Sequence, residues 1–587
     1  MILAALNDYY TRRSLDPDPR RRLPVFGMES KAIPFIIEIS ETGGFVTLQD
    51  TRERVGTRLI GRSELVPMGI KKTSGVAANL LWDTAEYVLG IDTRGNPDRV
   101  DEQHRAFMQV INSLPEAARR DPGVQAVLRF LTGPDRKHIE AESAWADIQE
   151  SNPLVTFRLH GDGDLVCQRP AVIRAVLETN HVTQSPETCL VTGNVDIPER
   201  LHASIKGVWG AQSSGANIVS FNLDAFSSYG KSQGGNAPVG EHAAFAYTTA
   251  LNSLLARDSG NRAQIGDAST VFWSARPDEL ELAIPDIFGE PTKDNPDQGV
   301  VAVAALYRAI ESGRLASADG ENRFFVLGLS PNAARIAIRF FHCLPLRDLA
   351  VRIQAHFDDI DIAHGPAEAQ SLSLFRLLAS CAVQGKADNI PPNLGGGLVD
   401  AILSGPNAPY PASLLNLAVT RCRAERTVTY PRAAAIKGCL NRQIRQRRQE
   451  KEFERMLDPE NPNPAYRLGR LFAILERIQE EAAGGPGRLN ATIRDRYYGA
   501  ASSTPVAVFT TLLRLKNAHL RKLSDKHAAW FERQIGEVMQ ALDDFPNHLA
   551  LSDQGRFALG YYHQRQHFFT KHEVMPAAPA NSDAGDH

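Results

Sequence analysis

The sequence predicts an α+β protein: a mixed α/β N-terminal region with antiparallel sheet elements over residues 1–345, then an all-helical C-terminal bundle over 346–587. Three observations predict it. Period-2 alternation bounded by turn residues occurs only before residue 345. Apolar spacing at 3.6 residues takes over beyond it. The length of 587 residues and an apolar fraction of 43% supply cores for several domains.

Residues 2–13 read as an amphipathic opening helix. Residues 31–48 alternate apolar and polar side chains around Gly43-Gly44, a hairpin signature. Residues 80–89 read as a helix, and 270–275 (TVFWSA) as a buried strand. Residues 323–329 and 334–341 are strand-like runs flanking Ser330-Pro331-Asn332, which predicts a second hairpin. Residues 277–298 read as an acidic loop with seven acids against Lys293. Helical periodicity then marks 346–356, 371–383, 466–483, 506–523, 528–542 and 554–570, with punctuation at Gly395–Gly397, Gly484–Gly487 and Pro546. Leu468, Leu471, Phe472, Leu475 and Ile478 form one apolar stripe. The residues after Val574 read as a disordered tail.

Composition excludes several classes. No stretch approaches the roughly 18 uninterrupted apolar residues of a membrane span, so no membrane partner is expected. The opening MILAALNDYYTRR places charge after its apolar segment, opposite to a secretory signal, and predicts a cytoplasmic protein. Six cysteines without a CxxC pair suit neither a disulfide scaffold nor a cysteine zinc site. The net charge of −3 argues against a strong free polyanion binder, but it hides segregation. Residues 421–448 carry nine basic residues, mostly arginine, against Glu425 alone. A merely solvated helix face usually interleaves acids, so this segment points to polyanion contact.

Two loops point the same way. Residues 205–222 (IKGVWGAQSSGANIVSFN) combine small residues, amides and hydroxyls near Lys206 and Lys231. Such a loop brings backbone N–H groups close to a polyanion. Four residues separate Gly210 from Gly215, but Ala216-Asn217 follow where a P-loop needs Lys-Ser/Thr. Residues 70–79 (IKKTSGVAAN) place Lys71, Lys72, Thr73 and Ser74 before a helix, an arrangement suited to phosphate. Arg52, Arg54, Arg58 and Arg62 add charge upstream.

Catalytic constellations are thin. His356, Asp358, Asp359, Asp361 and His364 crowd one stretch, and a metal-dependent nuclease built on it is the rival reading. His563 and His567 sit in HQRQH, where a zinc protease needs glutamate and the chain has Gln564. That helix is expected to pack its aromatics on one side and show Arg565 on the other. No metal, cofactor or catalytic residue is expected.

Longer stretches carry a resemblance. MILAALNDYY, KKTSGVAANLLWDTAEYVLG, CLVTGNVDIPERLHASIKGVWGAQSSGANIVSFNLDAFSSYGKSQGGNAP, EHAAFAYTTALN, RFFVLGLSPNAARIAIRFF, NATIRDRYYGAASSTPVAVF and FALGYYHQRQHFF together resemble the large subunit of the type I-C CRISPR surveillance complex, Cascade. The resemblance implies a non-catalytic subunit that recognises the protospacer-adjacent motif in duplex DNA. It also implies help with unwinding and R-loop stabilisation, and recruitment of a helicase–nuclease, while guide RNA pairing reads the sequence. It implies partners: target DNA, the guide RNA-containing backbone and RNA-processing subunits, and the helicase–nuclease. Carried onto this chain, it implies DNA contacts from Lys71, Lys72, Thr73, Ser74, Asn79, Lys206, Gly210, Gln212, Ser213, Ser214, Asn217, Lys231 and Asn236. Gln212 would act as the wedge at the first unwound pair. Arg442, Arg445, Arg447, Arg448, Arg494 and Arg496 would hold the displaced strand. Residues 456–587 would resemble the small subunit and be made separately from near Met456, the sole methionine between Met108 and Met539.

Overall fold

The computed structural model describes residues 1–18, 21–70, 72, 75–178, 185–221, 223–289, 298–312, 315, 319–369, 372–448 and 450–569. The acids at 290 to 297 and the tail beyond Val574 lie outside these residues. The α+β class holds, with helices dominating the C-terminal half. Contacts divide the chain into two units. One comprises 1–205 and 217–253; the other comprises 206–216 and 254–587.

The first unit is built on a four-stranded mixed sheet, ordered Phe45–Asp50, Phe35–Ile39, Leu154–Leu159, Trp82–Thr84. Phe35–Ile39 pairs in parallel with Leu154–Leu159, and the other pairs are antiparallel. The expected Gly43-Gly44 hairpin is present: Gly43 adopts φ +89°, and the Gly43 N–H donates to Ser40 O. Helices Pro97–Asn112 and Pro122–Thr132 cover the sheet, burying Phe107, Ile111, Val127 and Phe130 against Phe35, Ile37 and Phe157. The expected helix over 80–89 is a short strand followed by the helix Ala85–Leu89. Asp83 explains the break. It is almost fully buried, and its carboxylate accepts from the Asn79 and Thr84 backbone N–H groups, a local alternative to helical hydrogen bonding.

The second unit joins an antiparallel sheet to the helices. Its strands run Arg262–Ile265, Ala268–Ser274, Arg323–Asn332, Arg335–Pro345. Every residue of Ala268–Ser274 is buried, as its continuous apolar run predicts. The second hairpin is present but turns at Ala333-Ala334, with Ala333 at φ +54°; Ser330 and Pro331 are still paired in the strand. One core runs from Phe272 and Phe324 through Leu349 and Ile353 to Leu471 and Phe557. The break in contacts falls around 205–254. Part of the acidic 277–298 segment is the helix Leu280–Phe288, which buries Ile284, Ile287 and Phe288 in this core. Gly395–Gly397 do not punctuate; they open the helix Leu394–Ser404, with Gly395 close against Gly266.

The C-terminal helices surround Pro464–Ala482, which is buried well beyond its expected stripe. It crosses Leu551–His567 backbone to backbone. A Cβ on Gly469 would lie 2.0 Å from Phe557 O, and one on Gly560 would lie 2.1 Å from Tyr466 O. Glu476, fully buried, accepts from Tyr561 Oη at 2.6 Å and Thr492 Oγ1 at 2.7 Å. Arg565 pairs with Glu480 at 2.8 Å and is largely covered, contrary to the expectation that it faces solvent.

Burial pushes His356 and His563 down to about 3, so both are neutral in the folded chain. Each is hydrogen-bonded through Nδ1, to Tyr410 Oη and Tyr466 Oη respectively. The unfolded chain titrates these groups near 6.5. It therefore binds more protons below that value, and stability falls as pH drops from about 6.5 towards 3. Between pH 7 and 5 the urea midpoint of the helical unit is expected to fall steadily, followed by circular dichroism. Each histidine contributes a slope of about 1.4 kcal/mol per pH unit once below 6.5. His563→Gln should remove one histidine's share; an unchanged slope would refute the assignment.

Candidate nucleic-acid interface

Residues 206–216 belong to the second unit and are fixed at their base by backbone contacts. The Trp209 N–H donates to Ser269 Oγ at 2.9 Å, on the fully buried strand. Gly207, at φ +85°, lies where a Cβ would come within 2.6 Å of Leu255 O, so only glycine fits. The Ala211 N–H donates to Val208 O and the Gly215 N–H to Gln212 O, closing two tight turns. Val208 and Ala216 are buried at either side. Between them Trp209, Gln212, Ser213 and Ser214 are exposed, with no side-chain partner among the described residues. The loop is thus a pre-organised turn that presents an amide, two hydroxyls and an indole to solvent. The indole, 68% exposed, was not among the expected contacts. A tryptophan between two glycines, outside any apolar period, was the available signal. Lys206 is exposed on the same segment, and Gly210 sits against Pro331.

The other expected contacts separate into presenting and structural groups. Asn217, in the first unit, donates through Nδ2 to His202 O at 2.8 Å. Lys231 is exposed but pairs with Glu187 at 3.2 Å. Asn236 clamps its own loop: Oδ1 accepts from the Ser228 N–H, while Nδ2 donates to Lys231 O and Gln233 O. Asn79 is buried, and its Oδ1 accepts from the Ile70 N–H. Lys71, Thr73 and Ser74 lie outside the described residues. Lys72 is held inward, donating to both oxygens of buried Asp83 at 2.7 and 2.8 Å, with its cation 3.7 Å from the Tyr87 ring centroid. Its charge is already engaged by the fold.

The basic segment 421–448 is divided by burial. Arg432, Lys437 and Arg442 are buried along the helix Tyr430–Arg447. Arg442 is wholly inaccessible: Nε donates to Asp359 at 2.7 Å, and Nη1 donates to the carbonyls of Ala401, Gly405 and Ala408. As folded it has no surface with which to meet a strand, so its expected role gives way to one in the core. Arg445 is largely covered, shared between Asp359 and Glu452. Arg447 and Arg448 are exposed and have no acidic partner among the described residues. Arg494 leans on Glu476 at 3.7 Å, whereas Arg496 is exposed and likewise unpaired.

The rival metal cluster does not converge. His356 and Asp359 point into the core, to Tyr410 and to Arg442 with Arg445. Asp361 faces Arg455 at 3.4 Å, and the His364 ring packs against Tyr430. Among the described residues no three His, Cys, Asp or Glu side chains are placed to hold a metal ion. No described helix is long and apolar enough to cross a membrane.

The family model described as a CRISPR-associated protein (Cas_Csd1) matches residues 6–569. The chain belongs to this Cas_Csd1 family, the Cascade large-subunit family. No curated protein matches it.

Because Lys72 neutralises a buried carboxylate, Lys72→Ala is expected to destabilise the first unit by about 1.5–3 kcal/mol. Gln212→Ala should leave stability unchanged. Urea unfolding of the two variants checks this; a stable Lys72→Ala would mean that the Lys72–Asp83 contact is dispensable.

Proposed function

We propose that this chain is the non-catalytic large subunit of a type I-C surveillance complex, and that the 209–215 loop reads the protospacer-adjacent motif in duplex DNA. The observation that carries the reading is the set of unengaged side chains, Gln212, Ser213 and Ser214, on a loop whose base is rigidly anchored. Amide and hydroxyl groups suit the acceptors of the minor groove, where readout is degenerate and a wedge side chain opens base steps. Gln212 is the wedge. Gly210 lets the backbone approach phosphate, and Lys206 supports the flanking duplex. Lys71, Thr73 and Ser74, outside the described residues, grip phosphate. Arg447, Arg448 and Arg496 hold the displaced strand. The subunit docks on the guide RNA-containing backbone and recruits a helicase–nuclease. Gln212→Ala is expected to weaken the assembled complex's binding to motif-bearing duplex by about tenfold or more, at unchanged salt and stability. Equal affinity in a competition assay would overturn the assignment.

The same reading makes residues from Met456 onward a separately translated small subunit. Met456 lies in the connection between Tyr430–Arg447 and Pro464–Ala482, not inside a helix. A product starting there keeps the Gly469–Gly560 crossing and the Glu476 network intact. Mass spectrometry of the complex expressed from the natural message should find this fragment. A synonymous recoding around Met456 that keeps the protein but alters the start context should deplete it; its absence from the natural complex would refute the proposal.

A further inference from the structure

The strands Glu53–Val55 and Arg58–Ile60 form a two-stranded ribbon joined to no other strand. Its register places Glu53 opposite Ile60, Arg54 opposite Leu59 and Val55 opposite Arg58. Gly56, at φ +64°, forms the turn, with open space around it. Leu59 and Ile60 are 57% and 43% exposed, and Arg54 and Arg58 are exposed as well. A hairpin of this size is marginal alone.

Its charges are arranged unevenly. At the base, Arg52 is held by Asp50 at 2.7 Å and Asp147 at 2.6 Å, and Arg62 by Glu64 at 2.7 Å. Further out, Arg54 and Arg58 have no acidic partner among the described residues. Opposed residues share a face, so Arg54 stands with Leu59 on one side. Arg58 stands with Ile60 on the other. Each face therefore offers one guanidinium beside one exposed aliphatic side chain, and exposed Glu53 shares the face of Arg58 and Ile60.

We propose that this ribbon is a second DNA-binding element, a finger that enters the major groove of B-form duplex. That groove, about 12 Å wide, admits a two-stranded ribbon. The A-form RNA major groove is too narrow for side chains to read. Arg54 and Arg58 meet phosphates or guanine edges, and Leu59 and Ile60 supply apolar contact of the kind thymine methyls accept. With two guanidiniums against the single carboxylate of Glu53, the ribbon is net cationic, which favours a polyanion over a neutral protein surface. The inference rests on the reading that the chain engages duplex DNA, but through residues far in sequence from the 209–215 loop.

The test is anisotropy of a labelled duplex with the assembled complex, carrying the wild-type or variant chain, between 50 and 200 mM salt. The double variant Arg54→Gln/Arg58→Gln is expected to reduce the slope of log K against log salt by about two, because each phosphate contact contributes about 0.9. Affinity at the low-salt end should fall about tenfold or more. Thermal stability should be unchanged, and Leu59→Ser should lower affinity without moving the slope. A wild-type slope in the double variant overturns the ribbon assignment while leaving the loop reading intact. Absence of salt-dependent duplex binding by the wild-type complex overturns both. Unaltered duplex binding together with loss of a co-purifying protein shows the ribbon to be a protein contact. An equal loss on A-form RNA duplex overturns entry into the B-form groove.

Discussion

The second unit depends on how it accommodates the Asp359–Arg442 pair. Both side chains are almost wholly removed from water, at a desolvation cost of several kcal/mol per ion that a lone contact does not recover. The chain offsets it by collecting hydrogen bonds. Arg442 donates to three carbonyls at and beyond the end of the helix Leu394–Ser404, groups that no further turn of helix can satisfy. It also lies 4.1 Å from the Tyr410 ring centroid. Lys437 donates to the Asp358 and Asp359 carbonyls at the end of Leu346–Ile360. One short run of basic residues thus terminates two helices and fastens a third to both. These bonds tie the helices into the one core that also packs against the sheet.

That arrangement also marks where sequence reasoning ends. Arginine without interleaved acids looks like a surface for polyanions when only neighbours in sequence are counted. Asp359, the acid that answers Arg442 and Arg445, lies more than eighty positions earlier, invisible to any local window. The same long-range pairing hid the partner of Arg565 in Glu480 and scattered the His356–His364 cluster between core and surface. Period and turn chemistry, by contrast, are local. They sufficed for the Gly43 hairpin, the buried strand Ala268–Ser274 and the existence of the six C-terminal helices read from the sequence. They failed at residues 80–84, where a buried carboxylate competes for the backbone, and at Gly395–Gly397, where close approach to Gly266 favours glycine within a helix.

The candidate interface was legible in part for the same reason. A run of small and amide residues identifies a loop that exposes its backbone, and here it is a pre-organised turn. What the run leaves open is which members face solvent. Gln212, Ser213 and Ser214 do; Asn236 spends its amide on the loop that carries it, and Asn79 is buried in its own turn. The near-zero net charge then has a structural meaning. Many bases are matched by acids inside the fold, leaving a sparse set of outward cations such as Arg54, Arg58, Arg447, Arg448 and Arg496.

The glycine crossing between Pro464–Ala482 and Leu551–His567 has a genetic side. Both glycines lie downstream of Met456. Under the proposed second start, one codon specifies the same contact in two proteins, one tethered to the sheet and one released from it. A substitution at Gly469 or Gly560 would then be selected twice, once in each product. The released copy would meet that selection without Leu415, Ile436 and Leu440, which pack beside Gly555 in the long chain. Under that start, the bundle's inner seam would serve both products, whereas the face around Gly555 would be covered in one and bared in the other.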